Sequence, residues 1–237
     1  MFLSLPNAFG DAATNMALDA SLLSSLPAGA AAFRHYGWTE PAMTFGYSQR
    51  WEEVRAIAPE GVRLCRRMTG GGIVDHRNDW TYALIIRSGS PAAEISSTEL
   101  YAAVHRAIAD ALAHQNFETT LAPCPRKCDA RPTKIEGPDQ CFIQPVMNDV
   151  LNTEGVKIAG AAMKRTKEGL LLQGSIDRHP LGDRIDIEAL AASFADHLTQ
   201  ALGLEREEPE DLRPLFSAEA IEREKSKFAG GDWLARR

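Results

Sequence analysis

Cysteine is scarce in this chain, with four among 237 residues. That number is too low for a disulfide framework in a protein of this length, so we expect reduced thiols and a cytoplasmic location. No apolar run approaches the roughly 18 residues that a membrane helix needs. Residues 1–11 also lack the basic segment that begins a signal peptide. We therefore expect no membrane association.

Net positive charge is also missing, because 26 basic side chains face 32 acidic ones and the formal charge is −6. A nucleic-acid-binding surface needs net basic character, so we expect no nucleic-acid partner. The length fits one large domain, or one large domain with a small appendage. We expect a main domain over residues 1–204 and a C-terminal helical segment over 205–237 that packs on the same domain.

Several common catalytic motifs are absent. We find no Gly-x-Ser-x-Gly elbow, no Walker lysine and no HExxH sequence, which disfavours a serine hydrolase, a P-loop enzyme and a zinc peptidase. Cys124, Cys128 and Cys141 leave zinc as a minor alternative. Their spacing is loose, however, and no histidine lies in residues 115–178. We therefore expect no metal site, and we expect Cys65 to lie in the core.

Hydrophobic periodicity predicts the main elements of the fold. Helices are predicted at residues 11–26, 96–115, 187–202 and 217–228, and a short helix or turn is predicted at residues 51–58. Strands are predicted at residues 31–38, 42–48, 62–69, 81–87, 117–121, 148–151, 156–165 and 170–176. The strands form clusters with helices between them, and the last three are linked by short turns. This order predicts an α+β fold with mixed, largely antiparallel sheets flanked by helices.

A glycine-rich stretch follows the strand predicted at residues 62–69. Arg66 and Arg67 end that strand, and Gly70, Gly71 and Gly72 come directly after it. Glycine allows the backbone to approach a ligand closely, and backbone amides on such a loop can point at an anion. The arginines add a planar donor fork for the same anion. The stretch predicts an anion cradle, and the alternative is a tight hairpin with two solvated arginines.

Lys157 begins a second unusual stretch, in which residues 159–162 are all small. Small residues leave room beside a strand, and a lysine facing that room can neutralise a phosphate or polarise a carbonyl. The alternative is an edge-strand lysine that discourages aggregation. His76, after the glycines, contacts either a ligand or the backbone of its own turn.

Cys141 is the candidate nucleophile. A thiolate can accept an acyl group and pass it on, and a nearby lysine raises the thiolate fraction. The alternative is a small apolar residue that fills space in the core, which is the role of most free cysteines.

Two of these stretches together resemble the lipoate–protein ligase and octanoyltransferase superfamily. Residues 66–76 match its RRxxGGGxVxH signature, and residues 148–162 match its ND-x-KxxGxA segment. Residues 172–176, 15–19 and 227–234 are similar to three further segments, in the expected order. The repeated Gly-Arg pairs of the biotin ligase signature are absent.

This resemblance implies a biotin/lipoate ligase-like catalytic domain that holds a medium-chain acyl group in a tunnel. It implies transfer of an octanoyl or lipoyl group to a lysine of a lipoyl-domain or glycine-cleavage-H-type carrier protein. Lys157 would hold the carbonyl or phosphate oxygen. The acyl or adenylate site would comprise Arg67, Gly70, Gly71, Gly72, Ile73, Val74, His76, Asp149 and Gly160.

The superfamily divides by mechanism, and both branches stay open for this sequence. Ligases use ATP and Mg, pass through an acyl-adenylate and usually need an accessory domain. We expect none here, because the chain ends soon after residues 232–234. Transferases take octanoyl from acyl carrier protein through a cysteine thioester, and residues 141–145 match their Cys-Phe-x-x-Pro segment, although residues 147–149 are more ligase-like. We expect a Cys141 transferase. A ligase with a separate accessory subunit and a non-catalytic binder of lipoate or acyl-adenylate are the alternatives.

Overall fold

A computed structural model describes residues 1–124, 142 and 145–236 of the chain. Its strands are β1 (Phe2–Ser4), β2 (Ala8–Gly10), β3 (Ala31–Trp38), β4 (Ala42–Phe45), β5 (Arg63–Arg66), β6 (Val74–Asp75), β7 (Asp79–Arg87), β8 (Thr119–Leu121), β9 (Val150–Asn152), β10 (Lys157–Thr166), β11 (Gly169–Asp177) and β12 (Arg206–Glu207). Its α-helices are α1 (Ala12–Ser25), α2 (Trp51–Ile57), α3 (Ser97–Ala113), α4 (Ile187–Leu202), α5 (Ala218–Ala229) and α6 (Gly231–Leu234). Among these helices none has the length and apolar character that crossing a bilayer requires.

Side-chain caps fix the ends of the main helices. The Asp11 carboxylate accepts from the Thr14 amide at 2.7 Å and begins α1. Ser96 accepts from the Glu99 amide and donates to the Glu99 carboxylate, so Ser96 caps the first turn of α3. Gly203 ends α4 with a left-handed backbone, φ +62°.

The described strands form two sheets. The larger has the order β12-β1-β3-β7-β11-β10-β9-β8, with β2 also paired to β3, and the smaller has the order β5-β4-β6. Every neighbouring pair from β3 to β8 in the larger sheet is antiparallel, whereas β1 runs parallel to β3 and β12. The prediction of a mixed, largely antiparallel sheet is confirmed.

Helices cover both faces of the larger sheet. On one face α3 and α4 pack together and bury Val104, Ile108 and Phe194 against the alternate side chains of β7. On the other face α1 lies against the sheet, and α5 packs on α1 with Phe228 buried. The division into a main domain over residues 1–204 and a segment over 205–237 stays a prediction.

The sequence-based strands differ from the structure mainly at the small sheet. The strand predicted at 62–69 ends at Arg66, because the chain turns after the Arg67 amide donates to the Phe45 carbonyl at 2.9 Å. The strands predicted at 31–38 and 42–48 enter different sheets as β3 and β4. The two- and three-residue strands β1, β2, β6 and β12 were not predicted, since they are too short to show a period.

Candidate active site

A narrow cavity lies between the two sheets. It is lined by side chains from both, including Trp38 of β3, Thr44 of β4, Val74 of β6, Ala162 of β10 and Gln173 of β11. Met16 of α1 closes another side. The cavity thus depends on the small sheet packing over the large one, which no single segment of the sequence encodes.

The glycine loop forms part of the cavity wall. Gly71 lines the cavity with φ +83°, a backbone conformation that residues other than glycine rarely adopt. A Cβ at Gly71 would lie 3.3 Å from the Cβ of Ala162, so the loop rests directly on β10. The two stretches singled out in the sequence therefore meet in space.

Arg67 lies beneath this loop and is buried. Its guanidinium donates to the carbonyl of Gly70 at 2.9 Å, to the carbonyl of Gly72 at 2.8 Å and to Thr44 Oγ1 at 2.7 Å. These bonds hold the loop in its bent form. The predicted contact of Arg67 with an anion stays a prediction.

Arg66, the neighbouring arginine, points elsewhere. Its fully buried guanidinium donates to the carbonyls of Tyr47, Gln49, Trp233 and Leu234 at 2.7–3.2 Å. Arg66 does not line the cavity. Its contacts fix α6 on the small sheet, so the two arginines do not share one anion as the sequence suggested.

His76 lines the cavity and is held from both ring nitrogens. Nε2 lies 2.7 Å from Thr44 Oγ1, and Nδ1 lies 2.7 Å from Asp79 Oδ2. The ring stacks on Trp38 with centroids 4.0 Å apart. His76 therefore bonds side chains rather than its own turn, and Asp79, which fixes the ring, was not singled out in the sequence.

A buried polar network forms the wall of the cavity on the α1 side. Asp19 accepts from Arg34 at 2.5 Å, from the Tyr36 hydroxyl at 3.0 Å and from Gln173 Nε2 at 2.7 Å. Gln173 Oε1 in turn accepts from the Thr69 hydroxyl at 2.8 Å. Burial, followed by the Asp19 charge, raises the pKa of Tyr36 well above its usual range, so its hydroxyl stays protonated. These polar groups bond to one another, which suits the lining to an apolar ligand.

Lys157 and Asp149 form a buried ion pair beside the cavity wall, with Nζ 2.8 Å from Oδ2. Their side chains are 5% and 0% exposed. A Cβ at Gly160, which lines the cavity, would lie 2.8 Å from the Lys157 ammonium nitrogen and 2.6 Å from its Cε. Any larger residue at this point would require the lysine side chain to shift. The pairing register of β9 and β10 shifts between Lys157 and Ala159, which marks a local irregularity in the strand here.

Two α3 residues that the sequence did not single out stand behind this pair. The Tyr101 hydroxyl donates to Asp149 Oδ1 at 2.5 Å, and the His105 ring lies edge-on to Tyr101 with centroids 4.1 Å apart. Burial, followed by the Lys157 charge, lowers the pKa of His105 to about 3. Only the helix predicted at residues 96–115 pointed to this region, and a helix alone does not indicate chemistry.

The predicted site residues therefore fall into three groups around the cavity. Those that line it are Arg67, Gly71, Val74, His76 and Gly160. Gly70 and Gly72 belong to the loop, and Ile73 packs in the core of the small sheet. Lys157 and Asp149 lie against Gly160. The functional role of each residue stays a prediction.

Cys141, the predicted nucleophile, lies outside the described residues, as does Cys128. Cys124 is exposed, whereas Cys65 is buried in the core as expected. Burial raises the pKa of Cys65 to about 12, so this thiol is not a candidate nucleophile. Within the described part of the chain, no group of three or more His, Cys, Asp or Glu side chains is placed to hold a metal ion.

Comparisons with known proteins match this architecture. The family model of the lipoyl protein ligase A/B catalytic domain matches residues 11–183. Octanoyltransferase LipM of Staphylococcus epidermidis is 33% identical over 187 residues, which are 76% of this chain and 65% of that protein. The match thus spans slightly less than two thirds of that relative's length.

Solved structures of lipoate ligases share the fold. A lipoate-protein ligase A bound with ATP superposes with a TM-score of 0.74 at 18% identity, covering 98% of this chain and 97% of that one. A bi-partite lipoate protein ligase from Thermoplasma acidophilum, described with its E2 lipoyl domain, gives a TM-score of 0.71 at 19% identity and covers 98% and 95%.

Proposed function

Because the chain belongs to the lipoyl protein ligase A/B catalytic domain family, we propose that it is an acyltransferase of lipoate metabolism. It attaches an octanoyl or lipoyl group to a lysine of a lipoyl-domain or glycine-cleavage-H-type carrier protein. The relatives named octanoyltransferase support this activity, and the Thermoplasma acidophilum ligase with its lipoyl domain supports this kind of acceptor. A cytoplasmic location remains part of the proposal.

The observation that carries the proposal is a narrow cavity with a buried ammonium beside its wall. The polar side chains of the wall bond to one another, so the cavity suits a medium-length acyl chain better than a polar ligand. Lys157 lies against Gly160, where its charge can stabilise a developing oxyanion or a phosphate.

The proposed reaction has two acyl transfers. The Cys141 thiolate attacks the thioester carbonyl of octanoyl acyl carrier protein, a new thioester bond forms, the carbon–sulfur bond to the carrier breaks and the carrier leaves as its thiolate. The neutral amine of the acceptor lysine then attacks the Cys141 thioester, an amide forms, the Cys141 thiolate leaves, and the proton lost by the amine passes to solvent. Lys157 stabilises the oxyanion in both steps.

A second candidate is an ATP-dependent lipoate–protein ligase that needs a separate accessory subunit. The ligase-like residues 147–149 favour it, and Asp149 is the partner of Lys157. In that reaction Lys157 would bind the phosphate or carbonyl of an acyl-adenylate formed with ATP and Mg.

Intact-mass measurement separates the candidates. We expect one octanoyl adduct after incubation with octanoyl acyl carrier protein, lost in Cys141→Ala and discharged when a lipoyl domain is added. Wild-type transfer by Cys141→Ala would contradict the thioester route. Lipoate- and ATP-dependent pyrophosphate release that survives Cys141→Ala would favour the ligase. Tight ligand binding without turnover would indicate a non-catalytic binder.

A further inference from the structure

We propose that Tyr101 is a positioning residue for the acyl transfer, which acts on Lys157 through Asp149. This inference rests on the proposed function, because it assigns a task within the same site. Tyr101 lies on α3, outside every segment that carries the family resemblance, and it does not line the cavity.

The hydrogen bonds around Asp149 carry the inference. Its carboxylate accepts from Lys157 Nζ at 2.8 Å, from the Val146 amide at 2.6 Å and from the Tyr101 hydroxyl at 2.5 Å. The hydroxyl approaches Oδ1, whereas the ammonium and the amide approach Oδ2. Tyr101 therefore sets the orientation of the carboxylate that holds the lysine.

Tyr101 also bonds the backbone of β10. Among the described residues, the pairing of β10 with β9 includes Lys157 and Ala159 and does not continue beyond Ala159. The next outward-facing amide, that of Ala161, donates to the Tyr101 hydroxyl at 3.2 Å. One hydroxyl thus connects the backbone of the cavity wall to the carboxylate of the ion pair.

The burial and the charges around Tyr101 determine that its hydroxyl is the donor in the hydrogen bond to Asp149. Burial, followed by the Asp149 charge, raises the pKa of Tyr101 far above its usual range, so the hydroxyl keeps its proton and donates it to the carboxylate. His105, edge-on to Tyr101, stays neutral at pH 7 and adds no second positive charge. The described titratable groups around Tyr101 are Asp149, Lys157, His105 and Tyr82.

Tyr101→Phe tests the inference because it keeps the ring and removes the hydroxyl. The assay uses the full chain, octanoyl acyl carrier protein as donor and a lipoyl domain as acceptor. We expect kcat to fall about 10- to 100-fold with KM changed less than about twofold, since a bond to a charged group is lost behind the site.

Thr98→Val is the matched control. It removes an exposed hydroxyl from the same helix and should leave kcat and KM unchanged. A Tyr101→Phe enzyme with the wild-type kcat would overturn the inference.

A readout without turnover keeps this inference separate from the proposed function. Trinitrobenzenesulfonate should label Lys157 several-fold faster in Tyr101→Phe than in the wild type, measured by peptide mass spectrometry. If the wild type transfers no acyl group, the proposed function fails while this difference still supports Tyr101 as the positioning residue. Equal labelling rates would overturn the inference.

The wild-type protein supplies a further test that does not depend on the folding of the variant. With ¹³Cζ-labelled tyrosine, the Tyr101 resonance should not shift between about pH 7 and pH 10, where an exposed tyrosine begins to ionise. A Tyr101 that titrates in this range would overturn the inference.

Discussion

Two buried ion pairs flank the cavity, and they differ in what their cations can do. Arg34 donates to Asp19 at 2.5 Å and to the Asn15 carbonyl at 3.2 Å, and its guanidinium carbon lies 4.0 Å from the centroid of the Tyr36 ring. A guanidinium held in this way cannot lose its proton and is committed to the protein wall. Lys157 is a compact ammonium on a flexible stem, against a glycine of the cavity lining.

We infer that the Asp19 pair stabilises the fold, whereas the Asp149 pair takes part in the reaction. The Asp19 pair joins α1 to β11 and, through Gln173, to Thr69 beside the glycine loop. The Asp149 pair lies where the register of β10 is irregular. We expect changes at the first pair to alter stability and changes at the second to alter rate.

Arg34→Leu should give the largest effect, and this effect should be a loss of stability. It leaves the Asp19 carboxylate buried without its cation, which costs about 3–5 kcal/mol of the free energy of unfolding. Urea denaturation measures this change, with the exposed Arg223→Leu as control. A loss of stability no larger than that of the control would show that the Asp19 pair does not stabilise the fold.

Lys157→Ala should instead lower the rate of acyl transfer. Removing a charge aimed at the oxyanion lowers kcat on the order of 10²–10³-fold. The control is Lys167→Ala, an exposed lysine in the turn after β10. A Lys157→Ala enzyme that transfers at the wild-type rate would remove this lysine from the site.

His105→Leu should change how stability depends on pH. The pKa of His105 is about 3 in the folded protein and about 6.5 when unfolded. Between these values the unfolded chain binds the extra proton, so wild-type stability falls as the pH drops from about 6.5 towards 3. Relative to the wild type, His105→Leu should gain roughly 2–3 kcal/mol between pH 7 and pH 4.5. Parallel pH profiles of the two proteins would contradict this assignment.

Gly160→Ala should give the smallest effect, again on rate. Its methyl group would lie 2.6 Å from Lys157 Cε, so the lysine must move. Because the ammonium of Lys157 would then be displaced from its position beside the cavity, we expect kcat to fall about tenfold or more. Gly231→Ala is the matched control, since a Cβ there meets no atom within 4 Å. Equal activities of the two variants would show that the position of Lys157 is not critical.

Local patterns predicted a large part of this molecule. The helices predicted at residues 11–26 and 96–115 correspond to α1 and α3, and the strands predicted at 148–151, 156–165 and 170–176 correspond to the antiparallel strands β9, β10 and β11 around Lys157. These signals depend on neighbours in the chain, which a sequence shows directly.

Contacts between residues that are far apart in the chain could not be predicted from such local patterns. Arg66 and Arg67 are adjacent, and their opposite directions follow from how β5 packs, with α6 on one side and the glycine loop on the other. Tyr101 meets Asp149 across 48 positions of sequence, and its helix shows only ordinary amphipathic spacing.

A crystal structure of the protein with octanoate tests the central claim most directly. The account predicts the alkyl chain in the cavity between the two sheets, which Gly71 and Ala162 help to line, with its carboxylate within hydrogen-bonding distance of Lys157 Nζ. A chain bound elsewhere, or one with its carboxylate far from Lys157, would contradict it.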